Sequence, residues 1–178
     1  MKERDMIVNV LAAAIIVTFS GVLGSRLANR YSLRVKEIRL FQGAISELES
    51  EIIYFRSFLP DVFEKLAHNS LGGLARFFYA VGEKLSAKSG YSVAEAWEAS
   101  LLESKPFLNL DREEYEIISQ FGRHLGIGDN EGHRRCFDMM QQKLRNQERK
   151  ADEARVRYEK MYRSLGLLGG LALALILL

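Results

Sequence analysis

The chain is poor in the residues that staple, interrupt or catalyse. Cys136 is its single cysteine, which excludes an internal disulfide and fits a reducing compartment. The three histidines, His68, His124 and His133, are scattered and match no zinc-ligand spacing, so no metal is expected. No paired acid and base and no activated nucleophile stand out, so neither an enzyme nor a cofactor is expected. A net charge of +2 provides no electrostatic footprint for nucleic acid. A mean hydropathy of −0.09 excludes a polytopic membrane protein. With two prolines and few β-branched runs, the composition favours an all-α fold.

What is present is long helical patterning between two apolar ends. Residues 6–24, "MIVNVLAAAIIVTFSGVLG", carry no charge and would extend about 28 Å as a helix, enough to cross a hydrocarbon core. A cleaved signal peptide is the rival reading, but the "KERD" leader has no net side-chain charge. The cations follow instead, at Arg26, Arg30, Arg34, Lys36 and Arg39, which places the chain after residue 25 in the cytoplasm and the N-terminus outside. These cations would also attract anionic headgroups, so membrane lipids are expected partners. At the other end residues 165–178 are wholly apolar, yet as a helix they reach only about 21 Å, short of a full span. The expected organisation is an N-terminal transmembrane anchor (1–24), a cytoplasmic helical domain (25–164) and a C-terminal hydrophobic membrane segment (165–178).

Two heptad seams run through the cytoplasmic part. Ile38, Phe41, Ile45, Leu48, Ile52, Phe55 and Leu59 step by three and four until Pro60. Phe137, Met140, Leu144, Gln147, Ala151, Ala154, Tyr158, Met161 and Leu165 do the same in a helix expected from Asp129. One seam leaves the membrane and the other returns to it, which predicts two long antiparallel stalks in a helical bundle. The pattern leaves open whether the stalks pair within one chain or between subunits of a homo-oligomer. Between them the sequence predicts shorter helices: one from Asp61, one carrying Leu74, Phe77, Phe78 and Val81, one capped by Ser92 with Glu95, and one capped by Asp111 with Glu114 and ending at Gly126.

Several side chains of chemically versatile type have plainer roles. Cys136 reads as a structural thiol, His124 and His133 as solvated loop histidines, and Trp97 as core. Glu47, Glu49 and Glu51 spread around a helix as a solvated face. The Gly166–Gly170 pair in the tail could let two membrane helices approach closely, but that spacing is common in such a segment.

Three stretches resemble the stage III sporulation protein AB family of endospore-forming bacteria. "LESEIIY" (48–54) is similar to its L-E-x-E-I-x-Y, "FGRHLGIGD" (121–129) to its F-G-x-x-L-G-x-x-D, and "YEKMYRSLGLLGG" (158–170) to its Y-E-K-M-x-x-S-L-G-x-L-x-G. Two positions depart: Phe58-Leu59 precedes a later proline at Pro60, and His133 stands where the family tends to have Gln. The resemblance implies a non-enzymatic membrane platform in the channel complex joining mother cell and forespore, likened to inner-membrane platforms of type II secretion. It implies as partners a cytoplasmic secretion-type ATPase and other membrane proteins of the complex, at the mother-cell membrane facing the forespore. The family pattern falls on Glu49, Glu51, Tyr54, Trp97, Leu125, Gly126, Asp129, Tyr158, Lys160 and Met161. Of these, Glu49, Glu51 and Tyr54 are the expected partner contacts. The alternative is a membrane-anchored signalling adaptor or transducer, which would want a sensory domain beyond the anchor.

Overall fold

A computed structural model describes residues 2–87, 90–125 and 130–177. The described residues form helices and turns without a strand. The elements are α1 (Lys2–Ser50), a π-helical turn (Glu51–Phe55), α2 (Leu59–Asn69), α3 (Gly72–Ser86), α4 (Val93–Ser104), a 3₁₀ turn (Lys105–Phe107), α5 (Arg112–His124) and α6 (Asn130–Leu177). Contacts divide the chain into two units, one of Lys36–Arg149 and the other of Met1–Val35 with Lys150–Leu178.

In the unit of Lys36–Arg149 the helices close around Trp97, which is fully buried. Its indole meets Phe77 edge-on at 4.8 Å, Phe121 at 5.5 Å and Phe63 at 6.1 Å between ring centroids. Edge-to-face packing suits the ring quadrupoles, and the indole N–H is satisfied by donating to the Ile118 carbonyl at 2.9 Å. Gly122 makes the close approach possible, since a Cβ there would lie 2.0 Å from Trp97 Cδ1. Phe121 carries the cluster to Phe137 of α6, and Phe41 of α1 joins it at Phe77 and Phe78.

Both expected capping boxes are present. Ser92 and Glu95 form a capping box, as do Asp111 and Glu114, whose carboxylate accepts the Asp111 N–H at 2.8 Å. The buried Glu37 carboxylate accepts the Asn109 N–H and so ties the turn before α5 to α1. The expected cap residues Gly126 and Asp129 lie outside the described residues.

The two seams meet within one chain. Gln141 on α6 donates to the Gln42 carbonyl at 2.8 Å and to Ser46 Oγ at 2.9 Å on α1. Farther along α6, Glu148 accepts from Arg39 at 2.6 Å and Gln42 at 3.1 Å. Partner numbers fall on α6 as they rise on α1, so the pairing in this unit is antiparallel.

Each seam is shorter than its periodicity suggests. On α1, Ile38, Phe41, Ile45 and Leu48 are buried, but past Ser50 the helix widens into the π turn. The wider turn rotates the register, burying Ile53 and leaving Phe55 exposed. Pro60 then opens α2 near its N-terminus and does not close α1. On α6, Phe137 through Ala151 stay buried, while Met161 and Leu165 are 40% and 58% exposed. A strict heptad drifts about 20° per repeat against a straight helix, so the stripe leaves its face over this length.

In the other unit Tyr31 of α1 packs against both Tyr158 and Tyr162 of α6, with centroids 5.3 and 6.0 Å away. Among the described residues no helix is long and apolar enough to cross a membrane. The expected membrane segments, 1–24 and 165–178, fall largely on side chains outside the described residues.

Candidate functional site

Among the described residues the chain departs from regular helix where α1 ends. The π turn Glu51–Phe55 runs into Arg56, which sits at φ 50°, ψ 38°, the left-handed region that a non-glycine residue seldom adopts. The N–H groups of Arg56 and Ser57 both return to the Glu51 carbonyl. Side chains then clasp the turn. The Glu51 carboxylate accepts from Ser57 Oγ at 2.6 Å and from Lys65 Nζ at 2.7 Å, and Lys65 also reaches Glu47 at 3.1 Å. Glu47 in turn accepts from Asn69 at 3.2 Å. The hydrogen bonds from Lys65 and Ser57 hold the Glu51 carboxyl below its ordinary range, and Glu51 and Glu47 raise the Lys65 ammonium.

This clasped turn presents three aromatic rings to solvent. Tyr54, Phe55 and Phe58 are 68%, 71% and 68% exposed. Arg134 lies over the Tyr54 ring at 5.5 Å. Nearby Glu49 is partly buried; burial first, and then the charge of Asp138, push its carboxyl up, against Arg134. A left-handed arginine and an interrupted helix cost free energy, and such outliers persist where the surroundings enforce them. Here the clasp does so, and its visible result is a fixed aromatic projection.

Of the expected contact residues, Tyr54 is on this projection, Glu51 is its clasp, and Glu49 feels the charges of Arg134 and Asp138 on α6. Phe55 and Phe58 were missed as surface residues because the heptad pattern places Phe55 on the seam. A visible sign was the aromatic run Tyr54, Phe55, Phe58 just before Pro60. The other pattern residues separate. Trp97 and Leu125 are core, Gly126 and Asp129 lie outside the described residues, and Tyr158, Lys160 and Met161 belong to the other unit. His124 is exposed, and half-buried Cys136 lines a cleft of about 50 Å³ between α5 and α6 with Ile117, Phe121 and Met140. Burial pushes the Cys136 thiol up, away from the reactive thiolate. Among the described residues no group of three or more His, Cys, Asp and Glu could hold a metal ion.

The family model for stage III sporulation protein AB matches residues 9–178. The chain belongs to that family. It is 33% identical over 168 residues to the stage III sporulation protein AB of Bacillus subtilis (strain 168), covering 94% of this chain and 98% of that one. A solved structure of a stage III sporulation protein AB superposes with a TM-score of 0.67 at 30% identity, covering 70% of this chain and 97% of that chain. The all-helical fold is therefore that of stage III sporulation protein AB, and the role is one in sporulation. The motif Leu48–Tyr54 that carries part of the resemblance ends inside the clasped π turn, so this turn belongs to the family-matched region.

Proposed function

We propose that the chain is a non-enzymatic platform, tied to the mother-cell membrane at both ends, in the channel complex that joins mother cell and forespore. Its apolar ends anchor it, and its helical domain holds the aromatic turn at Tyr54, Phe55 and Phe58 for a partner protein. A cytoplasmic secretion-type ATPase is the expected occupant. The observation that supports this reading best is the solvent exposure of three rings on a turn clasped by Glu51, Ser57 and Lys65. Exposed aromatic clusters on rigid supports are typical of binding hot spots, because rings bury large area at small entropic cost.

Photo-crosslinking tests it. A benzophenone amino acid at position 54 in sporulating cells should capture one discrete partner, identified by mass spectrometry as the ATPase. The same probe at exposed Glu153 should not. Equal capture at both positions, or capture of lipid alone at position 54, would overturn the docking role.

A further inference from the structure

The unit formed by Met1–Val35 and Lys150–Leu178 carries a second surface. Tyr31, Tyr158 and Tyr162 form an aromatic cluster in which Tyr31 lies 5.3 and 6.0 Å from the two α6 rings, themselves 6.4 Å apart. Residues 25–35 hold three cations and no acid; residues 150–164 hold five cations and three acids. Two of those acids, Asp152 and Glu159, are drawn onto Arg155 at 3.0 and 3.9 Å. Arg26, Arg30 and Lys160 are exposed and have no ion-pair partner among the described residues, and exposed Arg157 lies 5.8 Å from the Tyr158 ring. From the tyrosines both helices run into exposed apolar side chains: α1 backwards through Val22, Phe19 and Ile15, and α6 onwards through Leu165 and Leu168.

We infer that this tyrosine stack and its cations form a collar that binds the phosphate layer of an anionic phospholipid bilayer. The inference rests on the membrane-tied reading and adds lipid selectivity to it. Tyrosine rings favour the headgroup level, where one end is apolar and the other wet. The neighbouring arginines and lysine supply donors and charge for phosphate, and apolar side chains begin on the acyl side of the rings. Charge complementarity favours lipid over a second copy of the chain, whose own collar would repel it.

Native mass spectrometry of the purified full chain, titrated with phosphatidylglycerol or phosphatidylcholine, reads the collar directly. Phosphatidylglycerol should be retained preferentially, and each of Arg30→Gln and Arg157→Gln should weaken it about fivefold. Tyr31→Phe keeps the ring stack but removes its hydroxyl, and should weaken retention less, without loss of helix content. Equal retention of both lipids, or a preference untouched by the arginine changes, would overturn the collar. Displacement of lipid by free inorganic phosphate, or a lipid-free dimer, would overturn lipid as the occupant. Flotation of the chain with phosphatidylcholine vesicles separates the two readings: membrane attachment without headgroup preference leaves the anchored platform standing and removes only the collar.

Discussion

The Glu51 carboxylate takes hydrogen bonds from Ser57 and Lys65, and its pKa falls as a result. A depressed carboxyl stabilises the fold above its unfolded pKa, and that contribution disappears as pH falls through the folded value. Lys65 is shifted up, so its share is complete below the ordinary lysine value and is lost as pH rises through the folded one. Both shares are therefore present around neutrality. Glu37 has the opposite sign to Glu51. Burial raises its carboxyl, so ionised Glu37 opposes folding at neutral pH and that cost fades in acid. The stability difference between the native chain and Glu51→Gln, followed by urea unfolding across pH, should be constant near neutrality and shrink as acid protonates Glu51. A difference that does not change with pH would mean that the clasp is not electrostatic. None of this was legible in the sequence, where Glu47, Glu49 and Glu51 read as one solvated face. Lys65 lies fourteen positions beyond Glu51 in the chain and meets it only because α2 folds back after the turn.

The π turn and Arg56 form the element that local pattern reading missed. A three-and-four spacing survives a π turn on paper, because the periodicity contains no mark for the extra residue. Only Ile53, buried in place of Ile52, reveals the rotation. By contrast, Ser92 with Glu95 and Asp111 with Glu114 were legible, since a capping box is settled within four residues. Trp97 as core was legible too, but the need for Gly122 was not: α5 meets the indole only in the folded bundle. At Arg56 the left-handed backbone costs about 1 kcal/mol for a side chain with a Cβ. Arg56→Gly should therefore leave the midpoint of thermal unfolding unchanged or raise it by the equivalent of up to about 1 kcal/mol. Arg56→Val, β-branched at positive φ, should lower it by more than about 1 kcal/mol. Equal midpoints for the glycine and valine variants would show that the turn does not enforce this backbone.

Across the whole molecule, α1 and α6 begin or end in apolar sequence and, in the unit of Lys36–Arg149, pair antiparallel through Gln42, Ser46, Gln141 and Glu148. The sequence predicted two stalks and left their pairing open; hydrogen bonds between α1 and α6 place it within the chain. Membership of the stage III sporulation protein AB family supplies the process, and the clasped aromatic turn is the surface assigned to partner binding in the proposed platform role. The most direct measurement is spore formation in a strain whose only copy of this chain carries Tyr54→Ser, Phe55→Ser and Phe58→Ser. These side chains are exposed, so the variant should fold and accumulate as the native chain does. Heat-resistant spore counts should fall to those of the deletion strain. Native counts from a variant present at native abundance would contradict the account.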